Sequence, residues 1–437
     1  MPSLPSLLLL LLLVTPLLTS SQTFTPSEHL LVETSAKNLL KNWSTHPSFL
    51  SPEIVTEGTG TPLTKVPVPD EFADSTMCLD GSPFYFYIRS GDPSKVAIFL
   101  QGGGLCIERF DCENRAKTTQ GSSLNWEDTL YEESNILSQD PRSPLSNYTH
   151  VFMRYCSGDT WTGTNTLSSG PGRYDLYFSG HNQVAAALSY LNKSLNFGDT
   201  QNSKLFLSGA SAGGIGTNNN CDFVSEHFGG NVEVKCSPQA GLFFPENTIA
   251  LWQSRIGIKS MTTNQIASIY LSRMFSSHHD KSCVVHALKN LDPPSYCWEG
   301  SYLTPHITTP ILVAQNFWDQ LQIDNILCFQ DNLKHASCTS DFLGDFRRHT
   351  VEQLTDLSVK QDLGLFAPSC YMHTGNLCLF NSDADEENTV VQGKSYLDAV
   401  RAFVEDGELL VVVDDCVGEE GDEDYVPCNE VCEMHCG

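Results

Sequence analysis

Basic residues are scarce in this chain. Against 52 Asp and Glu there are only 25 Lys and Arg, a formal charge of −27 at pH 7. A nucleic-acid partner needs a basic face to neutralise phosphates, so no nucleic acid is expected to bind. The deficit is partly local. From Glu405 to the end there are twelve acidic residues and no Lys or Arg, the pattern of a solvated tail. Long apolar runs are missing after the amino terminus. No later stretch approaches the roughly 18 residues of a membrane span, so no stable membrane insertion is expected. No internal repeat is visible at a period of about 20–50 residues, which excludes a solenoid or a propeller. The cysteines contain no CxxC…CxxC pair of the zinc-ribbon kind. No linker is strong enough to split the chain into two domains.

What is present suits one large exported domain. The chain has 437 residues and 40% hydrophobic content, enough for a sizeable core. "MPSLPSLLLLLLLVTPLLTSSQT" reads as a secretory signal over residues 1–21. Its apolar run, Leu7 to Leu18, ends in small polar residues and is too short to span a bilayer comfortably. No Lys or Arg precedes the run, and an uncleaved anchor is the alternative. Residues 22–74 form a polar segment with one short amphipathic piece near Leu30 to Leu40. Residues 75–413 are assigned to the catalytic domain, and 414–437 to an acidic, cysteine-rich tail. Sixteen cysteines fit an oxidising compartment. Cys428, Cys432 and Cys436 recur every four residues beside Cys416, and disulfides are preferred to a metal there. Asn42, Asn147 and Asn192 open N-x-S/T triplets and are candidate glycosylation sites. The expected location is extracellular or the cell wall.

Strand-like runs occur at "FYFYIR" (Phe84 to Arg89), "KVAIFLQ" (Lys95 to Gln101), "HVFMRY" (His150 to Tyr155), "KLFLSG" and "TPILVAQNF" (Thr309 to Phe317). Helical patterns occur at Gly180 to Leu195, just past Ser211, and over Val390 to Gly407. Strands alternating with helices predict a mostly parallel sheet covered on both faces, in a single α/β domain.

The chemistry centres on "LFLSGASAGGIG". A strand, then Gly-x-Ser-x-Gly, then a helix is the context of a nucleophile elbow. A Cβ at Gly209 or Gly213 would collide with neighbouring strand or helix. The helix after Ser211 aims its first amides at the same point. A plain Gly-rich strand-to-helix turn is the bland reading. "IFLQGGGLC" supplies a second glycine loop after a strand, where the amides of Gly104 and Leu105 can join that of Ala212 around an oxyanion. The orienting acid and the base should follow in that order. Asp319, just beyond a strand, is preferred to Asp324, which can merely cap a helix. Of the later histidines, His335 and His349 read as surface residues and His435 lies in the tail. His373, in "FAPSCYMHTGN", is the best base by position.

The ordered motifs "CLDGSP", "GGGLC", "GSS", "RYCSGDTWTG", "SGASAGG", "PILVAQNFWDQLQIDN" and "FAPSCYMH" cover roughly Cys78 to His373. With them the chain resembles the pectin acetylesterase family, which includes Notum-type carboxylesterases. The resemblance implies an α/β-hydrolase-like fold with Ser211 as nucleophile, His373 as base and Asp319 as its orienting acid. It also implies an oxyanion hole from Gly104, Leu105 and Ala212, and a short disulfide between Cys106 and Cys112. The chain departs from the family at Leu105, where tryptophan is usual. It departs again at Ser237-Pro238-Gln239-Ala240-Gly241, where an aspartate is usual. The expected protein is a secreted serine carboxylesterase that needs no cofactor or metal. Its expected substrate is an O-acyl ester, O-acetyl above all, on an extracellular polysaccharide. The alternatives are a Notum-like deacylase of an acylated protein and a non-catalytic binding glycoprotein on the same scaffold.

Overall fold

The computed structural model describes residues 60–131, 135–166, 175–199, 202–243, 263–327, 340–377, 379–380 and 388–415, with isolated positions 34, 37, 429 and 432. Its strands in chain order are β1 (Leu63–Pro67), β2 (Tyr85–Arg89), β3 (Asp92–Leu100), β4 (Thr129–Leu130), β5 (Tyr148–Met153), β6 (Ser203–Ala210), β7 (Val232–Gln239), β8 (Ile311–Ala314), β9 (Leu363–Ala367), β10 (Val390–Val391), β11 (Lys394–Ser395) and β12 (Val411–Val413). Ten of them make one sheet in the spatial order β12-β9-β8-β7-β6-β3-β5-β2-β1-β4, and β10 and β11 pair as a separate ribbon. From β12 to β5 every neighbour is parallel. β2, β1 and β4 close the far edge antiparallel. Parallel strands buried on both faces read as continuous apolar runs. Val96 to Leu100, Leu205 to Leu207 and Ile311 to Ala314 are such runs, all buried. The fold is thus the single-domain, α/β-hydrolase-like one.

The helices used below are α1 (Arg109–Arg115), α2 (Gly180–Leu195), α3 (Ala212–His227), α4 (Thr263–Phe275), α5 (Lys281–Asn290), α6 (Ser340–Ser358) and α7 (Tyr396–Arg401). α2 buries Val184, Ala187, Leu188 and Leu191, one stripe at helical spacing. α3 is buried along most of its length and carries polar side chains inside. Several are paired: Thr217 Oγ1 donates to Gly213 O, and Asn220 Nδ2 donates to Gly216 O and Trp161 O. Such a helix has no amphipathic period, and the Gly-x-Ser-x-Gly context is what marks it in the sequence.

Two elements differ from the sequence expectation. β1 falls within the stretch assigned to the polar amino-terminal segment, yet it pairs with β2 and β4. Only Leu63 of this strand is buried, so it leaves no apolar run to read. The helix expected from Val390 begins only at Tyr396. Before it, β10 and β11 pair across Gln392 and Gly393, both at positive φ (50° and 75°), a hairpin turn. Ser395 then caps α7, and the Asp398 side chain returns to the Ser395 backbone. The chain continues through a π-turn and stops at Gly407, φ 70°.

Among the described residues five disulfides join Cys78–Cys156, Cys106–Cys112, Cys221–Cys236, Cys283–Cys297 and Cys370–Cys432, and no described cysteine is free. The last ties the tail to the loop after β9. Cys416, Cys428, Cys436, Asn42 and residues 1–21 lie outside the described residues, as does nearly all of the Leu30 to Leu40 piece. Asn147 is exposed before β5. Asn192, half-buried on α2, donates its side-chain amide to Phe197 O at 3.1 Å. Among the described residues no helix is long and apolar enough to cross a membrane.

Candidate active site

β6 ends at Ala210 and α3 starts at Ala212, so Ser211 is the whole connection. Its backbone sits at φ 59°, ψ −117°, a conformation that L-residues rarely adopt and that neighbouring structure must enforce. Two hydrogen bonds do so. Ser211 N–H donates to Gln239 O at 2.9 Å, and Ser211 O accepts from Ile215 N at 3.0 Å. The turn also needs room. A Cβ at Gly213 would lie 1.9 Å from Leu100 O, so any side chain there displaces β3.

Asp319 follows β8 and is fully buried. Its Oδ2 accepts from His373 Nδ1 at 2.8 Å and from Gln315 Nε2 at 3.2 Å, and its Oδ1 accepts from Gln322 N at 3.1 Å. His373 Nε2 lies 2.8 Å from Ser211 Oγ. A carboxylate facing Nδ1 keeps the proton on that nitrogen and leaves Nε2 to accept the Ser211 hydroxyl proton. The three sequence candidates therefore form one hydrogen-bonded row. The rival Asp324 accepts from Tyr371 OH instead. His349, expected at the surface, is buried on α6: that helix packs one face on the core, and its polar sequence hides the fact. His335 and His435 lie outside the described residues.

Sequence reasoning missed an amide pair that holds the histidine loop. Asn316 Nδ2 donates to Met372 O, His373 O and Asn376 Oδ1, and Asn376 Nδ2 donates back to Asn316 Oδ1. The loop after β8 and the loop after β9 are thus clamped together three residues from Asp319. The polar pair Gln315-Asn316 inside a mostly apolar run, "VAQNFW", was the signal.

The glycine loop after β3 passes closely over the elbow. A Cβ on Gly102 would lie 2.6 Å from Ala210 O and 3.2 Å from Ser211 Cβ. Gly103 and Gly104 have φ of 131° and 68°. Among the described residues the N–H groups of Gly104 and Leu105 donate to no acceptor. Ala212 opens α3, whose first amides have no partner within the helix. Unpaired donors beside a serine hydroxyl suit an anion that forms only during reaction. Cys106 and Cys112 close the loop just beyond, and Cys106 N–H donates to Gly158 O at 3.1 Å. These cysteines lie near Asp111 in a spacing that a metal could use, but their sulfurs are spent on each other.

The pattern of the pectinacetylesterase family matches residues 57–433. The chain is 26% identical over 350 residues to pectin acetylesterase 7 of Arabidopsis thaliana, covering 76% of this chain and 84% of that one. It is 27% identical over 311 residues to palmitoleoyl-protein carboxylesterase notum1' of Xenopus laevis, covering 68% of this chain and 60% of that one. Its fold is similar to that of the Wnt deacylase Notum from Drosophila, with a TM-score of 0.70 and 22% identity over 86% of this chain and 100% of that one. With a family match over nearly its whole length, the chain belongs to the pectinacetylesterase family and is a carboxylic ester hydrolase.

Proposed function

We propose that this protein is a secreted serine esterase that removes O-acyl groups, O-acetyl above all, from an extracellular polysaccharide. The observation that carries the reading is the row Ser211 Oγ–His373 Nε2 and His373 Nδ1–Asp319 Oδ2, each 2.8 Å, beneath a loop with unpaired amides. Ser211 Oγ attacks the ester carbonyl while its proton passes to His373 Nε2. The carbonyl π electrons move to oxygen, where the amides of Gly104, Leu105 and Ala212 receive the charge. The C–O bond to the alcohol then breaks and His373 returns the proton to the leaving oxygen. Water repeats the sequence on the acyl-serine and frees the carboxylic acid. Asp319 holds the imidazole tautomer and stabilises the imidazolium. No step of this scheme calls for a cofactor.

The charge of −27 disfavours a polyanionic partner unless the groove is locally basic, so a less charged acetylated polysaccharide is preferred to pectin itself. The second reading, deacylation of an acylated protein, is favoured by the palmitoleoyl-protein carboxylesterase relatives. Acyl length separates the two. The measurement is kcat/KM for p-nitrophenyl acetate, butyrate and octanoate, with wild type and Ser211→Ala. Acetate should lead, and Ser211→Ala should lose activity while remaining folded. Near-wild-type activity in Ser211→Ala would refute the nucleophile. An octanoate preference would replace the acetylesterase reading by the protein-deacylase one. Leu105→Trp should alter the acyl preference if that buried side chain lines the acyl site.

A further inference from the structure

Behind the glycine loop lies a cation that the reaction scheme leaves unused. Arg115, the last residue of α1, donates from Nη2 to Gly103 O at 2.7 Å and from Nε to Gln120 O at 3.2 Å. Its guanidinium lies 5.1 Å from the centre of the Tyr155 ring, and a Cβ on Gly158 would come within 3.3 Å of Arg115 Cδ. No carboxylate makes an ion pair with it among the described residues. Asp111 and Asp159 act on it only through space, and burial lowers its pKa from the ordinary arginine value. Arginine stays charged even so. An unpaired cation is costly to hold in such a place, and its hydrogen bonds go to two backbone carbonyls, Gly103 O in the glycine loop and Gln120 O beyond α1.

The Gly103 carbonyl shares a planar trans peptide with the Gly104 amide, so the two point in opposite directions. The Gly103 carbonyl faces Arg115. One residue earlier, Gly102 lies against Ala210 and Ser211. We propose that Arg115 is the positioning residue of the oxyanion loop: by binding Gly103 O it turns the Gly104 N–H toward the reacting carbonyl and polarises that peptide as negative charge forms. The inference rests on the reading of Gly104 as an oxyanion donor. Hydrogen bonds in series strengthen one another, and this series runs from a full positive charge through one peptide to the oxyanion.

The test uses the full-length protein with Arg115→Met and Arg115→Lys, and Ser211→Ala as control. It reads kcat and KM on p-nitrophenyl acetate and Ki for a trifluoromethyl ketone, which captures the serine as a hemiketal anion. Arg115→Met should lower kcat about 10- to 100-fold, less than the roughly 100- to 1000-fold cost of removing an oxyanion donor outright, because the Gly104 amide itself remains. KM should stay within about twofold, and ketone affinity should fall by the same factor as kcat, since both depend on the anion. Arg115→Lys should lie between, because one ammonium keeps the charge but not the fork. Should Arg115→Met not fold, the same parallel loss in Arg115→Lys decides. Unchanged kcat in both variants, a kcat loss without loss of ketone affinity, or an effect on KM alone overturns the proposal. An active Ser211→Ala would show instead that the nucleophile is misassigned.

Discussion

At the scale of single residues, the site is held by backbone geometry more than by side-chain chemistry. Ser211 keeps a positive φ because Gln239 O and Ile215 N grip both sides of it, and Gly213 keeps its neighbour β3 in place. The histidine assignment has a direct check. His373→Ala should cost kcat about 10⁴-fold or more, as loss of a coupled nucleophile–base unit does. His349→Ala should retain kcat and show its cost in thermal stability, because the residue is buried on α6 and takes no part in the row's hydrogen bonds. An inactive His349→Ala beside an active His373→Ala would reverse the assignment. Asp324, adjacent in sequence to the same loop, is engaged by Tyr371, and that hydrogen bond raises the tyrosine pKa further above what burial alone sets.

At the scale of elements, α7 connects the carboxyl-terminal part of the chain to the floor of the elbow. Its first residue, Tyr396, is buried and its hydroxyl lies 2.7 Å from Ser237 Oγ. Gln239 Nε2 donates to the same hydroxyl at 3.1 Å and to Ser208 Oγ at 3.4 Å. The neutral amide of Gln239 suits a floor made of hydroxyls and Asn135, where among the described residues no cation pairs with it. The start of α7 depends on Ser395, whose Oγ accepts from Asp398 N at 3.2 Å. Ser395→Ala should cost about 1 kcal/mol of stability, the usual worth of an N-cap. For a domain of this size the melting temperature should fall by about 2 °C or less. Esterase kcat should stay within about twofold, and an unchanged melting temperature would show that the cap is not needed.

At the scale of the whole molecule, acid should weaken the fold through buried histidines. His150, His181 and His279 are pushed down to about 4, and His278 to about 3, in each case mainly by burial. Geometry agrees for His150: Arg89 Nη2 lies 2.7 Å from its Nδ1, and its Nε2 lies 2.8 Å from Leu145 O, which leaves no site for a second proton. His181 is stacked on His278 with ring centres 3.9 Å apart. A depressed folded-state pKa means that the unfolded chain, near 6.5, takes up protons first. Stability should therefore hold above about pH 6.5 and fall from there toward pH 4. Burial raises the carboxyl pKa of Asp159 and Asp280, which opposes the trend, but two carboxyls face four histidines. The check is the urea midpoint at pH 7.5, 6 and 5, in about 0.5 M salt to screen the net charge. A constant or rising midpoint toward pH 5 would contradict it.

The sequence alone determined the α/β class and the position of the two glycine loops. Apolar runs such as "KVAIFL", and glycines on either side of Ser211, are local signals, since a buried parallel strand needs apolar residues on both faces and a tight turn needs residues without Cβ. It also narrowed the acid to two neighbours and the base to a preferred histidine. Only the tertiary structure decided which of these meet, because His373 lies 162 residues from Ser211 and the contact exists only once β6, β7, β8 and β9 are assembled in one sheet. The same holds for strand β1, for the Asn316–Asn376 clamp and for Arg115 beneath Gly103. In each a polar or half-buried group meets a partner that neither the helical nor the strand period points to, and periodicity carries no trace of such a partner.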